Sequence, residues 1–330
     1  MTDNPALESG WMNGQQARPG AVKMWWLAVR PFSLPASTMP VIFGSVLAWT
    51  QGGAALDLPG FLAAFVGMAL LHCGANLLND VYDHRQGLDR RVHPASGAVV
   101  RGWISHRQAL AAGWGMLAAG CALGGLLVAT AGLEILWIGI IGVALGVFYT
   151  WGPFELKFHG LGDLAVFSAF AVLGATGAWT VQTGSVAWLP ALWSIPLGLL
   201  IAAILHANNW RDMASDTAGG IRTMASLFGD RGSVIYYGLL LFTPFAFVVG
   251  WTVAGQLLAL TPRMPWTMLI VLLGLPQALR LFGRALARHR PDSPTDFVAL
   301  DGATGQLNLI FGLLYTGALG LDALIRGLAA

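Results

Sequence analysis

Residues 63–89 read AAFVGMALLHCGANLLNDVYDHRQGLD, an apolar run that ends abruptly in amides and carboxylates. Asn76, Asn79, Asp80 and Asp83 are spaced i, i+3, i+4 and i+7, which places all four on one face of a helix. They stand where a membrane helix leaves the bilayer. Carboxylates at such a place are costly and usually functional. Asp80 and Asp83, with Asp89 beyond Gly87, are hard oxygen donors suited to a divalent cation, and Mg²⁺ holding a phosphate fits them. Carboxylates this close repel one another unless cations join them.

A second constellation answers the first far along the chain. In NNWRDMASD, residues 208–216, the residues Asn208, Asp212 and Asp216 are four apart and Asn209 lies three before Asp212. This cluster also follows an apolar run directly. Asp80, Asp83, Asp89, Asp212 and Asp216 together exceed what one Mg²⁺ needs and suit two ions clamping a diphosphate. The remaining phosphate oxygens need cationic donors. Arg101, Lys157, Arg211 and Arg222 lie in connections on the same side and are the candidates. Lys157 is the most pointed, in the short loop GPFELKFHG whose only other charge is Glu155.

Composition places these clusters in a membrane protein. Of 330 residues 56% are hydrophobic and 10% charged, against about 25% charged in soluble domains. Fourteen Trp and 43 Gly suit interface anchoring and close helix packing. Apolar segments at 33–51, 59–79, 108–130, 133–151, 161–182, 186–208, 233–254, 265–283 and 305–325 predict nine spans. With the N-terminus inside, sixteen Lys and Arg fall on the inner side and two, Arg263 and Arg326, outside. The positive-inside rule then puts both acidic clusters on the cytoplasmic face, in a bacterial inner membrane. Residues 1–22 read as a disordered polar tail and 23–330 as one transmembrane domain. The two Asn/Asp clusters after the second and sixth spans suggest an internal duplication of four helices.

Other residues carry plainer expectations. Cys73 and Cys121 read as small buried hydrophobes. The histidines at 84, 93, 106, 159 and 206 lack a zinc spacing and read as interfacial. Trp25, Trp26, Phe32, Tyr82, Phe148, Tyr149, Trp151 and Trp210 read chiefly as interface anchors. Tyr149 and Trp179 are candidates to face an electron-deficient carbon. Asp163 and Gln182, polar positions in the fifth span, either touch a substrate or hold helices together.

The pattern NxxNDxxDxxxxxD at 76–89, with NNxRDxxxDxxxG at 208–220, resembles the intramembrane aromatic prenyltransferases of the UbiA superfamily. Within it the chain is most similar to the 1,4-dihydroxy-2-naphthoate polyprenyltransferases of menaquinone synthesis. WWLAVRPFSLPASTMPVIFGSVLA at 25–48, YTWGPFELKFHGLGDLAVF at 149–167, WTVQTG at 179–184 and GQLNLIFGLL at 305–314 support the likeness. It implies an all-α membrane protein of about nine helices around a central cavity. It implies two Mg²⁺ ions, with Asn79, Asp80, Asp83 and Asp89 serving one and Asn209, Asp212 and Asp216 the other. Asn76, Asn79, Tyr149, Asn208, Asn209 and Arg211 would line the substrate, while Lys157, Arg101 and Arg222 would hold diphosphate oxygens. Asp80, Asp83, Asp212, Asp216 and Lys157 would carry the catalysis. The partners implied are a polyprenyl diphosphate, an aromatic acceptor and the lipid bilayer, with no nucleic acid.

The chain departs from many relatives where GKRTLA is GIRTMA, with Ile221 at the lysine position. It also lacks the RTxxRP run of the 4-hydroxybenzoate and haem branches, which favours a naphthoate acceptor that loses its carboxylate as CO₂. Alternatives are another acceptor such as 4-hydroxybenzoate or homogentisate, a terpene cyclase without acceptor, and an ion-coupled transporter.

Overall fold

A computed structural model describes residues 19–86, 98–150, 154–259, 261–290, 292–293 and 295–329. Asp89 and His93 lie outside the described residues, as do most of the expected tail and Trp151. The helices are α1 (Ala21–Ala28), α2 (Leu34–Gln51), α3 (Leu58–Gln86), α4 (His106–Ala131), α5 (Leu133–Thr150) and α6 (Gly162–Thr183). They continue as α7 (Trp188–Trp193), α8 (Ile195–Arg211), α9 (Met213–Ala218), α10 (Met224–Leu257), α11 (Trp266–Leu286) and α12 (Leu300–Ala329). Among the described residues no strand forms. The one β contact is an isolated bridge between His159 and Arg222.

Seven helices are long and apolar enough to cross a membrane, so the expectation of nine spans is reduced by that measure among the described residues. The other two segments are helical but shorter. Leu133–Tyr149 falls just under the length. The segment expected at 186–208 breaks at Ser194, the C-cap of α7, and restarts with Pro196 in the first turn of α8. Proline is favoured there because the first helical amides need no partner.

Helix starts follow local chemistry. Ser105 and Gln108 form a capping box on α4, and Thr223 and Ser226 form one on α10. Within the bundle, glycine governs approach. Gly74 faces the backbone of Gly113 across α3 and α4, and Gly67 faces that of Gly120. A side chain at Gly44 of α2 would place its Cβ 2.2 Å from the carbonyl oxygen of Ala175 in α6. Such contacts let membrane helices pack without a hydrophobic drive between them.

The largest buried cluster joins α2, α6, α8, α10, α11 and α12. Phe43 stacks on Tyr315 with centroids 4.8 Å apart, and the Tyr315 hydroxyl donates to the Trp193 carbonyl at 2.9 Å. Residues Phe167–Leu173 of α6 form a π-helical stretch. There Phe170 stacks on His72 of α3, centroids 4.9 Å apart. Cys73 is buried, but Cys121 is exposed on α4, which corrects the expectation of two buried thiols.

Candidate active site

α3 runs unbroken to Gln86, beyond the expected end of its span, so the first motif sits on helix throughout. Each member is met by a group from elsewhere. The Asn76 amide donates to the Val29 carbonyl and to the Ser33 hydroxyl, both at 3.3 Å. Asp80, 1% exposed, accepts a hydrogen bond from the Arg30 guanidinium. Lys157 donates to Asn79 Oδ1 at 2.9 Å and also to the Asp83 carboxylate. One turn deeper, His72 pairs through Nδ1 with the Ser37 hydroxyl at 2.7 Å and through Nε2 with Ser33 at 3.2 Å.

Arg30 holds its position at a backbone cost. Its φ of 53° and ψ of 58° are left-handed, just before Pro31. For a non-glycine residue that conformation costs about 1–2 kcal/mol. The turn aims the guanidinium at a buried carboxylate, and an ion pair of this kind is strongly destabilising when only one partner is removed.

The second motif is not one straight helix. α8 ends at Arg211, Asp212 is a non-helical joint, and α9 begins at Met213. The backbone ladder nevertheless continues across the joint, with Asp212 N donating to Asn208 O at 3.1 Å and Asp216 N to Asp212 O at 2.9 Å. Asn208, Asp212 and Asp216 therefore stay stacked turn upon turn. The Arg211 guanidinium grips Asp212 through Nε at 3.0 Å and Nη2 at 2.8 Å, and reaches Asp301 of α12 through Nη1 at 2.7 Å. Burial alone would lower its pKa, but Asp212 and Asp301 more than offset this and hold it above the ordinary value. Asn208 also donates to Asp301, at 3.3 Å. The amide of Asn209 is partly exposed and uncommitted among the described residues.

The two motifs meet through the Lys157 loop and Tyr149. The loop touches the first motif by its ammonium, and its Phe158 carbonyl accepts from the backbone N–H of Arg222, which follows the second motif, at 3.2 Å. The charges of Asp83, Asp216 and Arg30, together with that of Asp163, all act on the Tyr149 hydroxyl. Arg222 keeps its side chain exposed beside this junction. Arg101 stands on a separate turn at 98–104, its guanidinium 4.7 Å from the Trp103 ring centroid, and burial draws its pKa below the usual value.

Among the described residues no three His, Cys, Asp or Glu side chains gather as a metal cluster. Mg²⁺ does not require one. It keeps waters and is ordinarily held by one or two carboxylates together with substrate phosphates. Asp80 with Asp83 one turn on, and Asp212 with Asp216, are donor pairs of that kind, so the residues fit the ion.

Comparisons with known proteins identify the family and the fold. Residues 37–300 match the UbiA prenyltransferase family. The chain belongs to that family. It is 33% identical over 292 residues to UbiA prenyltransferase domain-containing protein 1 of Danio rerio, covering 88% of this chain and 81% of the relative. The Homo sapiens relative of the same name is 32% identical over 291 residues, covering 88% and 81%. Among solved structures, an apo UbiA homolog from Aeropyrum pernix K1 aligns with a TM-score of 0.61 at 16% identity, covering 89% of this chain and 97% of that one. A UbiA homolog from Archaeoglobus fulgidus bound to GPP and Mg²⁺ aligns at 0.55 with 18% identity, covering 89% and 99%. The protein is thus a multi-pass membrane prenyltransferase of UbiA fold.

Several residues of this UbiA prenyltransferase lie apart from their sequence reading. Trp179 contacts Gly52 at the far end of α2. That helix of 18 residues is about 27 Å long, and its other end adjoins Arg30, so Trp179 lies away from the carboxylates. Trp210 is not an interface anchor but is buried, donating to Asp230 at 3.0 Å. His206 is fully buried rather than interfacial. Gln182 exchanges hydrogen bonds with the Asp57 backbone at 2.8 and 3.1 Å and so holds a connection in place. Arg30, His72, Tyr236 and Asp301 were not among the expected site residues. Arg30 and Asp301 had a signal in their placement, each a charge directly bordering a long apolar helix.

Asp301→Ala is expected to loosen Arg211 and Asn208 together, because both donate to the same carboxylate oxygen. Loss of one partner of a hydrogen-bonded charge pair costs about 1.5–3 kcal/mol. A lower unfolding midpoint in detergent with a larger fractional loss of turnover checks it.

Proposed function

We propose that the protein transfers a polyprenyl group from its diphosphate to 1,4-dihydroxy-2-naphthoate, with loss of the carboxylate, in menaquinone synthesis. The observation that carries the reading is the Lys157 loop, which meets Asn79 and Asp83 of the first motif with its ammonium and Arg222, just after the second motif, through the Phe158 carbonyl. Two Mg²⁺ ions would be held by Asn79, Asp80, Asp83 and Asp89 on one side and by Asn209, Asp212 and Asp216 on the other. When bound, they would neutralise the diphosphate as its allylic C–O bond breaks. The absence of the RTxxRP run supports a naphthoate acceptor.

The chain's own residues have distinct duties. Lys157 exchanges its carboxylate and amide partners for diphosphate oxygens, with Arg222 joined to its loop and Arg101 reaching in from the turn at 98–104. Arg211 orients Asp212 against α12. The Tyr149 ring offers its face to the developing allylic cation. Surrounding apolar helices keep water from that cation and accommodate the polyprenyl tail. Residues 23–330 act as one unit, with this site at the cytoplasmic face of a bacterial inner membrane.

Membranes carrying the protein, incubated with geranylgeranyl diphosphate, Mg²⁺ and dihydroxynaphthoate, are expected to yield the prenylated, decarboxylated naphthalenediol by mass spectrometry. Product only with 4-hydroxybenzoate or homogentisate would move the reading to that acceptor. A terpene formed without any acceptor would make the protein a cyclase, and vesicle uptake without product would make it a transporter.

A further inference from the structure

One carboxylate lies beside the site and outside both motifs. Asp163 is 4% exposed in the first turn of α6. The hydroxyl of Tyr236 of α10 is within electrostatic reach of it. His206 of α8 brings Nδ1 to 3.9 Å from its Oδ2 and stands edge-on to the Tyr236 ring, centroids 4.8 Å apart. Tyr149 of α5 lies over the adjoining Gly162, where an added Cβ would be 3.6 Å from its hydroxyl. Asp163 Oδ2 itself is buried without a hydrogen-bond partner among the described residues.

A helix N-terminus gives one ordinary reason for an aspartate, worth about 0.3–1 kcal/mol. It gives no reason to bury the group, at a cost of several kcal/mol for a charge, or to leave one oxygen without a donor. The motif carboxylates already face cations, Arg30 against Asp80, Lys157 against Asp83 and Arg211 against Asp212. Among the described residues Asp163 makes no ion pair with an Arg or Lys. Around it are Tyr149, His206 and Tyr236, with Lys157 on the adjoining turn, and the charges of Asp83, Asp216 and Arg30 are also felt at Tyr149.

We propose that Asp163 is the proton acceptor of the prenyl transfer, taking the hydroxyl proton of the aromatic substrate, with Tyr236 and His206 as positioning residues. The assignment rests on the aromatic acceptor proposed above. The acceptor O–H gives its proton to Asp163 and its electron pair to the ring. The ring carbon bonds to the allylic carbon, and the allylic C–O pair leaves on the diphosphate. Loss of CO₂ then restores the aromatic ring as a phenolate, which takes the proton back from Asp163. With an acceptor that loses a ring proton instead, that proton leaves in place of CO₂.

The test is Asp163→Asn in the purified full-length protein, assayed with geranylgeranyl diphosphate, Mg²⁺ and dihydroxynaphthoate across pH. The expected result is a kcat lower by about 10²-fold or more, with KM for the donor unchanged. The acid limb of the wild-type pH profile should vanish, and the variant's rate should follow ionisation of the acceptor hydroxyl. Wild-type kcat and acid limb in Asp163→Asn overturn the proposal. If that variant fails to insert, Tyr236→Phe decides: a smaller loss in kcat with a displaced acid limb supports the assignment, and an unchanged limb overturns it. A wild-type protein that prenylates no aromatic acceptor would instead refute the reading on which the assignment rests.

Discussion

Turnover is expected to fall by about 10³-fold in Asp83→Asn and again in Asp216→Asn, with the unfolding midpoint little changed. Both side chains are only partly buried, and the amide keeps the shape while removing the charge. One variant tests each motif, so equal losses support a site that needs both. Asp80→Asn is a poorer probe, because the carboxylate is 1% exposed and paired with Arg30. It should lose stability as well as activity. Chelation of Mg²⁺ should reproduce the loss in the wild type, and restoring Mg²⁺ should reverse it. Full activity in both Asp83→Asn and Asp216→Asn would remove the two-motif site.

Gly44→Val is expected to eliminate most folded protein. The added Cβ would lie 2.2 Å from the Ala175 carbonyl oxygen and 2.9 Å from its carbonyl carbon, and these are backbone atoms that no rotamer change can move. α2 and α6 would have to separate, at a cost of about 3 kcal/mol or more. Gly124→Val on α4 is the control, since nothing lies within 4 Å of its added Cβ. A monodisperse peak of wild-type height for Gly124→Val, and its loss for Gly44→Val, in detergent size-exclusion would check the difference.

What the sequence discloses here is whatever depends on one helix at a time. The spacing of Asn76, Asn79, Asp80 and Asp83 predicts a shared face because the helical period is fixed, and α3 has that face. The same period predicts the stack of Asn208, Asp212 and Asp216 but not the joint at Asp212, where Arg211 draws the carboxylate back. Nine apolar segments are read where seven helices meet the length for a span among the described residues, because apolarity continues through a break, as at Ser194. The partners are least legible. Arg30 and Asp80 are 50 residues apart, and Arg211 and Asp301 are 90 apart, so no local pattern joins them. Asp163 is visible as a polar residue in an apolar run, whereas its neighbours His206 and Tyr236 come from two other helices.

The cation that meets Asp83 is encoded 74 residues after it, while the one that meets Asp80 precedes it by 50. At synthesis rates of about 5–20 residues per second, Asp83 emerges from the ribosome roughly 4–15 s before Lys157. During that interval the growing chain carries one neutralised aspartate and one that is not. The nascent first half therefore carries the Asp83 charge without its later partner until that loop arrives, and a charged group there opposes the sliding of α3 through the bilayer while its neighbours are still being made.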